Sequence, residues 1–460
     1  MTRRFRGLER GGPAACRRLY GVFVIVACAP AWAGNWPAWR GPEGTGVAHD
    51  AGVPLKWSDR KNVRWRTPLP DRGNSTPIVW GDRVFVTQAL EKENRRTLMC
   101  FNRTDGKPLW QSGITWTERD PTNGQNPYCS PSPVTDGQRI IAYFGSPGLY
   151  CYDFAGKELW RRDTGKVDSW QGSGSSPILY QDLCLLNAGP GTHAALIACD
   201  KATGELVWQV APPKMPGGAA PGAPPPAHNG FDGAMMSADP TGEGGFLGSW
   251  ATPLIVKVGD RDELIVIHPH RAAGYEPLTG KEIWRCTGLP DQAFASPAVG
   301  KGVLVTTGHR MAGGGTRVTA IQLGGTGDVT ATARLWQTDL PKECIGSGVI
   351  AAGRVFLVTQ FGSVVCLDLA TGKKVWEKRL SGQGTLGGSW SSIVLLDDKM
   401  LIPNHSGEVF VLAAAPQFEL LGINWAGEET TCASPAIADG ELFLRTYKAL
   451  WCFGTAEPAK

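Results

Sequence analysis

Two sets of residues have the chemistry to make a site. The first is histidine. The chain has seven, and five of them, His193, His268, His270, His309 and His405, stand in polar loops between apolar runs. Imidazole can ligate a metal, move a proton near neutral pH or bridge an anion. Two of these loops add guanidinium groups, in His268-Pro269-His270-Arg271 and Gly308-His309-Arg310, which suit carboxylate or phosphate. A sixth histidine, His228, lies in a long insertion. The second set is aromatic. Trp250 and Trp390 end matching Gly-Ser-Trp phrases, Gly248-Ser249-Trp250 and Gly388-Ser389-Trp390. No spacing makes a metal motif of the kind that places two histidines and a carboxylate on one element. Nor is there a Ser-His-Asp elbow, a phosphate-binding glycine loop or a Cys-x-x-Cys.

These residues are positioned by a repeat. Thr279-Gly280-Lys281-Glu282-Ile283-Trp284 returns in variant form, ending at Trp110, Trp160, Trp208 and Trp376. Trp65 and Trp336 also end such strands, and one repeat carries Leu420-Leu421 in place of the Trp. Repeats open at Thr76, Ser132, Ser176, Thr252, Ser296, Ser347, Ser392 and Ser434, mostly followed by Pro. After each opening come short apolar runs cut by turns, which reads as about four strands in about 45 residues. This predicts an all-β, eight-bladed β-propeller of four-stranded antiparallel blades. The last repeat runs from Ser434 to Phe453 with only three strands, and the orphan strand Val63–Thr67 supplies the fourth, closing the ring without open edges. A Trp on each outer strand is expected to wedge between neighbouring blades.

In such a ring, the residues just before each opening surround the axis. Two positions before the openings stand Asn74, Ser130, Gly174, Trp250, Phe294, Ile345, Trp390 and Cys432. Loops between second and third strands share that face. The candidate ligand face therefore comprises Trp250, Trp390, Phe294 and Asn74 with His193, His268, His270, Arg271, His309, Arg310 and His405. The competing expectation is that the aromatics only plug the channel.

The net charge is +4, with no basic stripe to bind nucleic acid. The first 33 residues read as a signal peptide: arginines, the apolar run Leu19–Ala29, too short to span a bilayer, and a small-residue site at Ala31-Trp32-Ala33. Cleavage after Ala33 leaves no transmembrane segment in the mature chain. The rival reading is a lipid anchor on Cys28. Residues 34–62 read as an irregular strap across the outside of the domain. Residues 63–453 form the propeller, and 454–460 a tail. Two insertions interrupt it as surface flaps: a Pro- and Gly-rich one at 211–248, and a shorter one at 115–128. Cys100, Cys151, Cys199, Cys366 and Cys452 fall on one repeat position and read as buried core residues.

The phrase Leu-x-Cys-x-Asp-x-x-Thr-Gly-Lys-x-x-Trp resembles the repeat of the pyrroloquinoline-quinone-like propeller family, which takes in quinoprotein alcohol dehydrogenases and BamB-type assembly lipoproteins. The leader from Trp36 to Gly46, with Asn62-Val63-Arg64-Trp65, resembles an exported bacterial branch of it. The resemblance covers nearly all of residues 34–453 and implies the propeller fold and a place in the periplasm or outside the cell. Such repeats serve enzymes and non-enzymes alike. Quinoprotein dehydrogenases hold their quinone between a Trp and a disulfide of adjacent cysteines, beside calcium and a catalytic Asp. This chain has no adjacent cysteine pair. The expectation is thus a non-catalytic binding or scaffolding module for a protein, peptide or glycan of the envelope, without cofactor. The alternative is a pyrroloquinoline-quinone- or metal-dependent oxidoreductase.

Overall fold

The computed structural model describes residues 34–50, 52–213, 248–310 and 313–455. The signal region, Cys28, His228 and most of the 211–248 insertion lie outside the described residues. Within them the regular structure is β-strand, apart from one 3-10 turn at Glu91–Glu93. Short β-branched and aromatic runs, each ended by a Gly, Asn or Asp turn, pair as hairpins. They form eight sheets, each built on four antiparallel strands. In blade 1, Ile78–Trp80, Arg83–Leu90, Arg95–Asn102 and Pro108–Thr115 pair in order. Blades 2 to 7 span residues 134–162, 178–210, 254–287, 298–340, 349–379 and 394–425. Blade 8 combines Ala436–Ala438, Glu441–Arg445 and Ala449–Phe453 with Val63–Pro68 as its outer strand. Trp65 stands opposite Cys452, as Trp110 stands opposite Cys100. The protein is an all-β, eight-bladed propeller closed by its N-terminal strand.

An outer set of contacts explains the repeated phrase. The Trp65 indole lies against Gly106 of blade 1 and donates to the Arg103 carbonyl at 2.6 Å. Trp110, Trp160, Trp208 and Trp336 do the same to Gly156, Gly204, Gly280 and Gly372 of their next blades, donating over 2.9–3.1 Å to a nearby carbonyl. At these five glycines φ is positive, and a Cβ would sit only 2.4–2.7 Å from the neighbouring indole. The turn therefore needs glycine both for its backbone and for the ring above it. Two tryptophans depart from the expectation. Trp284 donates to Glu263 of its own blade at 2.6 Å, and Trp376 packs edge-on against Phe418. In blade 7 the residue at the Trp position, opposite Val411, is Gly422. The leader covers that seam: the Trp57 amide donates to Asn424 of blade 7, while its ring lies 5.4 Å from Phe453 of blade 8. Cys199 also departs from the repeat. Ala198, not Cys199, faces Trp208, and Cys199 stands across from Cys184.

An inner set of contacts explains the Ser/Thr openings. The Thr76 amide donates to Ser132 Oγ, Ser132 to Ser176, Ser176 to Thr252, and Thr252 to Ser296. Ser296 then donates to Ser347, Ser347 to Ser392, Ser392 to Ser434, and Ser434 back to Thr76. All eight bonds measure 2.8–3.1 Å. Each repeat spends one buried amide and one hydroxyl on its neighbours, which satisfies both around the axis.

The leader does not run only across the outside. Trp36, almost fully buried, bridges Val79 of blade 1, and the Pro37 carbonyl accepts from Thr135 of blade 2. Arg40 is buried on the far side of the ring, donating to the carbonyls of Thr45 and, at 2.8 Å, of Gly348. Val47–Ala48 then adds a parallel strand to the inner edge of blade 7. Residues 36–48 thus cross from blades 1 and 2 to blades 6 and 7. Burial drops the Arg40 pKa to about 9.

Candidate ligand-binding funnel

On the side where the chain enters each blade, the ring of hydroxyls opens into a cavity of about 580 Å³. Its wall carries all eight residues that stand two positions before the ring: Asn74, Ser130, Gly174, Trp250, Phe294, Ile345, Trp390 and Cys432. Side chains alternate along an extended chain, so a residue two before an axial hydroxyl faces the axis as well. Ser132, Ser176, Ser347 and Ser392 of the ring also line the cavity.

The aromatics are fixed in place. Trp250 is buried, packs on Phe294 with ring centroids 4.8 Å apart, and donates to the Gly172 carbonyl at 2.9 Å. Phe294 continues to His309 at 6.4 Å. Trp390 is half-buried with His405 set edge-on behind it at 6.4 Å. Trp39 and Trp170 add two more indoles to the lining. Trp39 is carried in by the leader, next to the buried Arg40.

The histidines divide. His309 lines the cavity, with Nδ1 3.6 Å from Glu343, which also lines it. The others are not on its wall. His268 ends a strand deep in blade 4, with Nε2 3.1 Å from the Tyr275 hydroxyl, and burial lowers its pKa to about 3. Its neighbour Arg271 pairs with Glu282 on the outer strand. His270 takes a left-handed backbone at φ 62° and lies 3.8 Å from Asp291. Arg310 pairs with Asp339 at 2.7 Å. His405 sits behind Trp390, its pKa lowered by burial, and His193 is exposed beside Gly165. Loops between second and third strands do share the entry face. Of the predicted histidine and arginine side chains on them, however, only His309 lines the cavity; the others meet neighbouring loops, an outer strand or the blade interior.

The wall also includes residues that sequence reasoning missed. Gln292 and Glu343 stand four positions before Ser296 and Ser347, one further step of the same alternation, and that signal was available. Gln360 joins them, its amide bonded to the Glu343 carbonyl at 2.7 Å. The 115–128 insertion is not a free flap. Asn123, Gly124, Gln125 and Asn126 line the cavity. They are tied down where Arg72 reaches Gly124, Asn74 reaches Gln125, and Asn126 reaches Gln171 and Ser173. Among the described residues the wall is therefore rich in indoles and side-chain amides, with one carboxylate and no lysine or arginine.

The family model described as outer membrane protein assembly factor BamB matches residues 47–115, 94–230 and 268–457. The chain belongs to this family. A search of curated proteins finds no match. Among solved structures, BamB from Moraxella catarrhalis is 14% identical with a TM-score of 0.54, over 84% of this chain and 98% of that one. The computationally designed Ika8 protein is 11% identical with a TM-score of 0.53, over 86% of this chain and 100% of that one. The quinohemoprotein alcohol dehydrogenase ADHIIG from Pseudomonas putida HK5 is 13% identical with a TM-score of 0.50, over 93% of this chain and 82% of that one. At these identities the likeness is one of fold, shared by BamB and a dehydrogenase alike. No helix among the described residues is long and apolar enough to cross a membrane.

Proposed function

We propose that this BamB-family protein is an exported, non-catalytic binding module of the cell envelope, and that its ligand, a protein segment, peptide or glycan, enters the funnel. The observation that carries the reading is the convergence of all eight pre-opening residues on one cavity walled by aromatics and amides. The family description, an outer-membrane assembly factor, and the signal-like N-terminus support the envelope. Residues 1–33 would be removed or, on the rival reading, Cys28 would carry lipid. Mass spectrometry of the mature N-terminus separates these, with a start at Gly34 expected.

The wall fits the oxidoreductase alternative poorly. Pyrroloquinoline quinone is a tricarboxylate, and among the described residues the cavity offers it no lysine or arginine. Among the described residues Glu343 is the single carboxylate on the wall, and no group of three His, Cys, Asp or Glu suited to a metal ion occurs. The test is a spectral titration with pyrroloquinoline quinone and calcium. No saturable change is expected. Saturable binding that Trp390→Ala abolishes, with oxidation of an alcohol, overturns the non-catalytic reading. For binding itself, wild-type and Trp390→Ala protein are exposed to one envelope extract, washed and denatured. A ligand released only from the wild type is expected, and equal recovery from both removes the funnel as the site.

A further inference from the structure

We infer that the funnel holds the neutral end of a carbohydrate, with a pyranose ring stacked on an axial tryptophan and its hydroxyls met by side-chain amides. This rests on the reading of the funnel as the binding site and names the class of ligand.

A sugar ring has two kinds of surface. One is a flat patch of C–H groups, which an indole face matches. The other is a rim of hydroxyls, each of which both donates and accepts. An amide side chain, with a donor end and an acceptor end, can answer both roles of a hydroxyl. The cavity wall supplies both. Trp39 and Trp390 offer indole surface. Gln292 is only 9% exposed, and among the described residues neither its side chain nor that of Gln360 has a hydrogen-bond partner. Asn74 donates to the Gln125 carbonyl, while its own Oδ1 is buried with no partner. A buried acceptor such as Asn74 Oδ1 is costly to leave unpaired, and Gln292 and Gln360 share its wall.

Other ligand classes meet this wall badly. An anionic group finds no lysine or arginine among the described residues of the wall, and an apolar ligand strands the amides. The leader, which carries Trp39, crosses the ring from blades 1 and 2 to blades 6 and 7. A peptide terminus brought to this wall carries a charge, and the non-reducing end of a neutral glycan carries none. A volume of about 580 Å³ has room for about one or two pyranose rings. The sugar is held rather than cut: glycoside hydrolysis commonly uses paired carboxylates, and among the described residues Glu343 stands alone on the wall.

The experiment is isothermal titration and tryptophan fluorescence of the purified protein with cellobiose, maltose and N,N′-diacetylchitobiose. Digalacturonic acid and a trialanine peptide run beside them. At least one neutral disaccharide is expected to saturate below about 10 mM. Trp390→Ala and the pair Gln292→Ala with Gln360→Ala are each expected to weaken it about tenfold or more. Trp336→Phe, on the outer ring, is expected to bind as wild type. Circular dichroism confirms that each variant is folded. If none of the neutral disaccharides saturates, or if binding survives both funnel variants, the carbohydrate inference is wrong. Binding of digalacturonate or trialanine that Trp390→Ala abolishes also overturns it, but leaves the funnel as a site. Failure of every probe, with equal recovery of envelope ligand by wild type and Trp390→Ala, removes the funnel reading too.

Discussion

The tryptophans of the outer strands and those of the axis are one residue type used in two ways. On the outside, five of the indoles point their N–H at a carbonyl of the next blade and press on a glycine there, so most of the ring faces protein. On the axis, Trp39, Trp170, Trp250 and Trp390 present surface to a cavity. The contrast shows that a high Trp content is not by itself a binding signal. What separates the two is whether the ring is wedged over a positive-φ glycine turn of the next blade or, like Trp250 and Trp390, stands two positions before an axial hydroxyl.

The sharpest way to break that contrast is to truncate one ring of each kind. Trp160→Ala removes a buried indole and its bond to Lys201, and should cost about 3–5 kcal/mol in urea unfolding. Trp390→Ala should cost under about 1 kcal/mol and lose ligand instead. Equal destabilisation by both would make the axial aromatics a plug.

A second test asks whether His268 belongs with scaffold or funnel. Burial, with Arg271 nearby, holds it neutral down to about pH 3, against 6.5 for the free side chain. Below 6.5 the unfolded chain takes up a proton that the folded chain refuses. Stability should therefore fall as the pH drops from 6.5 toward 3, by up to about 1.4 kcal/mol per unit. His268→Gln should flatten that slope in denaturation curves at several pH values, and an unchanged slope would show that another group carries it.

Smaller again is the inner ring. Ser347→Ala deprives the Ser296 amide of its acceptor and should cost about 1–3 kcal/mol, with Ser347→Thr restoring most of it. Differential scanning calorimetry of the pair measures this. No loss in the alanine variant would mean that water replaces the hydroxyl.

The fold was readable because each repeat states its own geometry: a hydroxyl at the opening, a Gly turn, a Trp. The axial residues were readable for a related reason, since a fixed offset from the hydroxyl fixes the face. The histidine loops had no such offset. Where His268 or Arg310 points depends on Tyr275 and Asp339, which local sequence does not announce. The leader was least legible. Arg40 finds its acceptor at Gly348, 308 positions away, and nothing periodic links them. The 115–128 loop was misread because its Asn and Gln residues suit solvent and a cavity wall equally well.

The hydroxyl circle has a consequence for how such a molecule changes size. Its eight bonds are homodromic: every unit gives to the one after it and takes from the one before. No unit is first in that cycle, although the first and last strands of the blades both lie in blade 8. Duplicating or deleting a whole repeat would break and remake the circle without a mismatched junction. Blade number is then set by how tightly the outer wedges let the sheets fan, and the axis accepts whatever count they impose.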